Sequence, residues 1–217
     1  MIKTAIFDMD GVIVDNHIFH LKAWKKFCEV NNIKFSAQEF REKFFGKNNH
    51  DILKGLLNRN ISYQEVFKLG EAKEAIYREI YQPFIKPVTG LVEFIKILKI
   101  NGFRLAIATS AHKPNLDFVL NMLRISQYFD VLVDASKVTH SKPSPEIFLK
   151  AANLLGVESA ACIVFEDSVS GINAAKAAGM LVVALLTTHK REELPNTDFF
   201  ISDFTDPLLK KFLRLNP

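Results

Sequence analysis

Cysteine is scarce in this chain. Only Cys28 and Cys162 occur. They lie in apolar stretches that read as helix and strand, and no CxxC spacing exists to hold a metal or a redox pair. Buried, reduced thiols are expected. Long apolar runs are missing too: nowhere do about 18 apolar residues follow one another, so no membrane partner is expected. The opening residues Met1-Ile2-Lys3-Thr4-Ala5-Ile6-Phe7 run straight into an acidic cluster. They lack the apolar segment and small-residue cleavage site of a secretory leader, which predicts a cytoplasmic location. Basic residues never form a block, and no aromatic-interleaved basic run occurs. The formal charge of +4 and pI near 9.0 therefore read as dispersed surface charge with mild attraction for anionic substrates, and no nucleic-acid partner is expected. Internal repeats and low-complexity tracts are absent as well.

What is present is a regular alternation. With 217 residues, 48% of them apolar and 24% charged, the chain can bury a sizeable core, as one large domain or as a core with a smaller insertion. Short β-rich segments at Thr4–Phe7, Leu105–Ala108, Val131–Val133, Cys162–Phe165, Val182–Leu186 and Phe199–Ile201 are nearly continuous in apolar residues, as strands covered on both faces should be. Helical periodicity fills the intervals, with Gly102, Gly156 and Gly179 at helix ends and Pro145 at a helix start. The fold class predicted is α/β, a doubly wound, Rossmann-like parallel sheet. Residues 16–82 break the rhythm, with several helical patterns and no convincing strand. Ile18, Leu21, Trp24 and Cys28 mark one apolar face there, and Ser36–Glu39 and Ser62–Glu65 have capping-box spacing. An all-helical inserted domain over 16–82 is expected, with 1–15 and 83–217 forming the α/β core. Asp15-Asn16 and the segment from Gln82 to Pro87 are the expected linkers.

Four points along the core carry chemistry. Asp8 and Asp10 stand two residues apart at the end of the first strand, which turns both carboxylates to one side of the sheet, and Gly11 permits a sharp turn. Carboxyl ends of strands in a doubly wound sheet form the ligand crevice. Thr109-Ser110 follows the second apolar strand, where a hydroxyl and backbone N–H groups can hold phosphate oxygens. Lys142, in Ser141-Lys142-Pro143-Ser144-Pro145, precedes a helix and can neutralise charge on a transferring phosphoryl group. Glu166-Asp167 ends a buried strand. Adjacent acids there repel each other and the first-strand aspartates unless a cation lies among them, and the hard, oxygen-seeking Mg2+ suits such a site.

In this order, each at a strand end, the four points resemble the motifs of the haloacid dehalogenase (HAD) superfamily of phosphotransferases, over essentially the whole chain. Phe7-Asp8-Met9-Asp10-Gly11-Val12 is similar to its first motif, Thr109 to its second, Lys142-Pro143 to its third, and Phe165-Glu166-Asp167-Ser168 with Gly171 to its fourth. The insertion is similar to a helical cap domain that closes over the substrate. The resemblance implies that Asp8 is the nucleophile that becomes an aspartyl-phosphate, and that Asp10 is general acid and then base. It implies that Asp8, Asp10, Glu166 and Asp167 surround Mg2+, directly or through water, and that Thr109 and Lys142 grip phosphoryl oxygens.

Within the superfamily, His20-Leu21-Lys22-Ala23-Trp24 resembles a His-x-x-Ala-Trp segment of the β-phosphoglucomutase-like group, in which the histidine positions or gates the catalytic acid. That likeness places His20, Gly46, Lys47 and Asn49 in the helical insertion, with Ser110 and Ala111 after the second motif, as substrate-binding candidates. Two departures bear on the reaction. Mutases of the group carry an arginine where this chain has Phe45-Gly46-Lys47-Asn48-Asn49-His50. They also carry a serine-lysine-asparagine grip where this chain has Ala111-His112-Lys113. A lysine there offers a point charge without the bidentate fork of arginine. The expectation is an Mg2+-dependent phosphatase acting on a small phosphorylated metabolite, as a monomer or weak homodimer. A sugar-phosphate mutase or a pyrophosphatase is the alternative.

Overall fold

The structure, a computed structural model, describes residues 2–44 and 49–215. Among them, six strands form one sheet: β1 (Thr4–Phe7), β2 (Arg104–Ala108), β3 (Val131–Val133), β4 (Cys162–Glu166), β5 (Leu181–Leu185) and β6 (Phe199–Ile201). Their spatial order is β3-β2-β1-β4-β5-β6, and every neighbouring pair runs parallel. The doubly wound sheet expected from the alternation is therefore present. Strand bounds differ from the sequence reading by a residue. The difference that matters is at β4, which runs on through Glu166, paired with Ala184.

Two apolar faces explain the continuous hydrophobic strands. In register, Phe7 pairs with Phe165 and their rings stack with centroids 4.7 Å apart. On the same face Phe94, from the helix Leu91–Ile100, and Phe204 pack against Phe165 at 5.5 Å. The alternate residues Ile6, Ala106, Val164 and Val182 meet Phe148 and Ala151 from the helix Glu146–Leu155, and Ile172 and Ala175 from the helix Val169–Ala177. Each buried Phe, Leu or Ile contributes about 1.5–3 kcal/mol, so strands polar on either face would not survive in this position. Both cysteines are buried and free. Burial pushes each thiol up to about 11.

Asn16–Phe84 separates as a compact unit of its own, and the segments before and after it form the sheet-containing unit. The helical unit comprises α1 (His17–Val30), α2 (Ala37–Lys43), α3 (Asn49–Leu57) and α4 (Tyr63–Tyr81). Trp24, Phe27, Cys28, Phe40, Ile52 and Leu53 make its core. Ser36 and Ser62 accept from the backbone N–H of Glu39 and Glu65, as their spacing predicts. Ile18, read as part of the apolar face of α1, is 46% exposed. The buried stripe instead runs through Ala23, Trp24, Phe27 and Cys28, because the i, i+3, i+4 pattern is carried by Phe27 rather than by Ile18. No helix among the described residues is long and apolar enough to cross a membrane.

Candidate functional site

The chain steps from β1 outward to β2 and β3 on one side and then crosses back to β4 on the other side of β1, so the crevice lies beyond the carboxyl ends of β1 and β4. Asp8 follows β1 directly, and its N–H donates to Phe165 O at 3.0 Å, which sets it level with Glu166. The chain then turns hard. The N–H groups of Ile13 and Val14 both donate to Met9 O, and Gly11 N–H donates to Val14 O at 2.7 Å. Gly11 has φ +82°, and a Cβ there would collide with the Asp167 carboxylate. Glycine is required at this position for conformation and for space.

At the end of β4, Glu166 Oε2 accepts from Asp167 N–H at 2.8 Å, Ser168 N–H at 2.9 Å and Ser168 Oγ at 3.0 Å. Its Oε1 accepts from Lys142 Nζ at 2.6 Å. Ser168 caps the following helix by accepting from Gly171 N–H, and any side chain at Gly171 would overlap the Glu166 carboxylate. Glu166 is thus anchored by four donors. Its Oε2 is committed to the local turn and its Oε1 faces Lys142.

Lys142 is also 2.6 Å from Asp8 Oδ1, donates to Ala108 O at 3.3 Å and lies 4.8 Å from the centre of the Phe148 ring. Burial opposes its charge, but Asp8 and Glu166 more than compensate and hold it firmly protonated. Asp8, Glu166 and Asp167 each offer an oxygen within 4.8 Å of the others, and all three are buried. Burial raises Asp8 to about 7. Lys142 opposes that rise, while Glu166 and Asp10 add to it. Asp167 is pushed well above the carboxylate range by burial and by its neighbours Glu166 and Asp8. Three buried acids against one ammonium leave an excess of negative charge that a small divalent cation would neutralise, and an all-oxygen donor set fits a hard one. Fit and donor chemistry agree.

Asp10 lies on the same turn, close enough to raise Asp8, although its carboxylate is not part of the three-acid cluster. Thr109 is buried at the end of β2. Its N–H donates to Val133 O at 2.9 Å and its hydroxyl accepts from Ala111 N–H at 3.0 Å. The backbone donor of Thr109 is therefore engaged by β3 and that of Ala111 within the loop, and Ser110 between them is exposed.

In the helical unit, His20 stacks on Tyr77 with centroids 3.9 Å apart. Its Nδ1 lies 2.8 Å from Lys73 Nζ. Asn49 donates to Glu74 Oε1 at 3.0 Å. Gly46 and Lys47 lie outside the described residues. Two residues of this network escaped the sequence reading. Lys73 and Glu74 are buried and paired at 2.9 Å, and read singly they look like solvated helix charges. Their signal is periodicity, since they share the buried face of α4 with Gly70, Tyr77 and Tyr81. Thr187 and Thr188 were missed as well, in a loop with no motif to mark it. The Thr187 hydroxyl donates to Gly11 O at 2.6 Å, and the Thr188 hydroxyl and the Asp167 carboxylate both border Gly11.

Comparison with known proteins agrees with this arrangement. Residues 5–185 match the haloacid dehalogenase-like hydrolase family. The chain is 30% identical to validoxylamine A 7'-phosphate phosphatase of Streptomyces hygroscopicus subsp. limoneus, over 95% of this chain and 96% of the relative. It is 32% identical to β-phosphoglucomutase of Bacillus subtilis, over 84% and 83%. The crystal structure of a HAD hydrolase of family IA, variant 3, from Entamoeba histolytica superposes with a TM-score of 0.90 at 26% identity, covering 98% of each chain. With family, relatives and sheet topology in agreement, the chain belongs to the β-phosphoglucomutase-like group of the haloacid dehalogenase superfamily, as an enzyme that hydrolyses phosphate esters.

Proposed function

We propose that this enzyme is an Mg2+-dependent phosphatase that removes phosphate from a small sugar-like metabolite in two steps through a phosphorylated Asp8. The observation that carries this reading is the placement of the Asp8 carboxylate, buried at the crevice and bonded to Lys142 at 2.6 Å. In the first step an Asp8 oxygen attacks phosphorus and the ester oxygen leaves with a proton from Asp10. In the second, Asp10 takes a proton from water as the water oxygen attacks the aspartyl-phosphate, releasing inorganic phosphate and free Asp8. Lys142 balances negative charge on the phosphoryl oxygens while Glu166 keeps its ammonium in place. The Thr109 hydroxyl is the further donor beside it. Mg2+, held by Asp8, Asp167 and the main-chain carbonyl of Asp10 with Glu166 behind, would supply charge neutralisation during transfer.

Water is preferred to a sugar hydroxyl as acceptor because residues 45–50 contain no arginine to hold a second phosphate. The phosphatase relative, matched over nearly its full length, supports the same choice. A mutase remains the second reading, favoured by the similarity to a β-phosphoglucomutase. Both are tested by one experiment. With β-glucose 1-phosphate and Mg2+, free phosphate should appear faster than glucose 6-phosphate, and the reverse order would assign the mutase reaction. Asp8→Asn should lower turnover by about 10³-fold or more and abolish trapping of the acid-stable phosphoenzyme; wild-type turnover in that variant would overturn the mechanism.

A further inference from the structure

Lys142 reaches the buried carboxylates from a segment without helix or strand. Residues 138–145 join the turn after β3 to the helix Glu146–Leu155, and Thr139, His140, Ser141 and Pro143 along them are exposed. The Lys142 side chain turns inward, 6% exposed, and meets Asp8 Oδ1 and Glu166 Oε1, each at 2.6 Å. A long, flexible side chain on a loose backbone would lose much freedom to hold that place. The loop therefore needs an anchor.

Glu146, the first residue of the helix, supplies one. Its Oε1 accepts from Thr139 N–H at 2.7 Å and its Oε2 from His140 N–H at 2.8 Å, so one carboxylate clasps the backbone just ahead of Lys142. His140 Nδ1 lies 3.1 Å from the same Oε2. On the other flank, Ser144 N–H donates to Ser141 O at 3.0 Å and Glu146 N–H to Ser144 Oγ at 3.3 Å. Both sides of the Lys142 loop thus close onto one residue. The helix behind it is fixed, since Ile147, Phe148 and Ala151 are buried in the core against the sheet, and the Phe148 ring centre lies 4.8 Å from the Lys142 ammonium. The Thr139 and His140 N–H groups also hold the Glu146 carboxyl below its ordinary value, so at neutral pH both oxygens accept, in hydrogen bonds of the stronger, charge-assisted kind. We infer that Glu146 is a positioning residue for phosphoryl transfer: by accepting from Thr139 and His140 together it fixes the loop that presents the Lys142 ammonium to Asp8. This inference rests on the reading of Lys142 as the cation that balances charge on the phosphoryl group.

The test follows turnover of p-nitrophenyl phosphate by the full chain with saturating Mg2+, with calorimetric binding of orthovanadate, a mimic of the phosphoryl group in transfer, as a second readout. Glu146→Ala should lower kcat by about 10- to 100-fold, the range for a catalytic group displaced by about an ångström, with KM little changed, and should weaken vanadate binding in parallel. Glu146→Gln keeps the length and one acceptor oxygen; it should fall between alanine and wild type, and it reads the same loss if the alanine variant does not fold. In a Lys142→Met background Glu146→Ala should cost no further turnover, because the group it places is gone. An equal further loss there, or wild-type kcat and vanadate affinity in the Glu146 variants, overturns the positioning role alone. Wild-type kcat in Lys142→Met overturns the reading of Lys142 beneath it.

Discussion

Lys142 sits between two buried carboxylates, 2.6 Å from an oxygen of each. Removing one member of a buried ionic cluster leaves the rest desolvated without compensation, which costs about 3–5 kcal/mol. Lys142→Met should therefore lower the unfolding free energy by about that much in urea titrations at neutral pH, and lower turnover by more than about 10²-fold. At this scale the sequence was informative about Asp8, Glu166 and Asp167, because each stands at the end of an apolar strand and the sheet gathers strand ends, and about Lys142, which stands in the turn before a helix. It was silent about Thr187 and Thr188, whose neighbours Gly11 and Asp167 are distant in the chain and carry no spacing signal.

Among the elements, α4 shows how periodicity and chemistry interact. Its buried face includes Lys73 and Glu74, and Lys73 lies 5.1 Å from the centre of the Trp24 ring. Burial alone would raise the Glu74 carboxyl, but Lys73, His20 and the Asn49 hydrogen bond hold it at about 2. A carboxylate depressed in the folded state stabilises above its unfolded value, near 4.5, and loses that contribution as pH falls toward 2. Glu74→Gln should lower the melting temperature at pH 6, and the gap from wild type should close as pH drops from 4.5 to about 2. A gap independent of pH would mean that the Glu74 charge contributes nothing. Helix existence in this unit followed from apolar spacing and serine caps, while the inward turn of two charges needed the packing of α4 against α1.

For the whole molecule, charge is unevenly divided. Residues 16–84 hold twelve Lys and Arg against eight Asp and Glu, whereas the remainder holds sixteen of each. The net positive charge belongs to the helical unit, which favours anionic ligands in general without specifying one. The acidic cluster in the other unit makes a sharper prediction. A ligand that binds only the folded state adds about 2.7 kcal/mol at a hundred times its dissociation constant. For a chain of this size that is about 5–10 °C in melting temperature. Scanning fluorimetry with saturating Mg2+ should show such a rise, with EDTA reversing it and Asp167→Asn abolishing it.

The order of residues alone encodes the parallel α/β core, the helical character of 16–82, the strand ends that carry acids and the turn that carries a lysine. These are local properties, set by apolar continuity, helical period and turn residues. How those strand ends combine is set by long-range packing. Strand order put β1 beside β4, and register set Asp8 level with Glu166. Folding also buried three carboxylates around one ammonium, and brought the β5 loop onto Gly11 beside Asp167. Burial is what gives those charges their leverage, since the same residues in water would scarcely perturb one another.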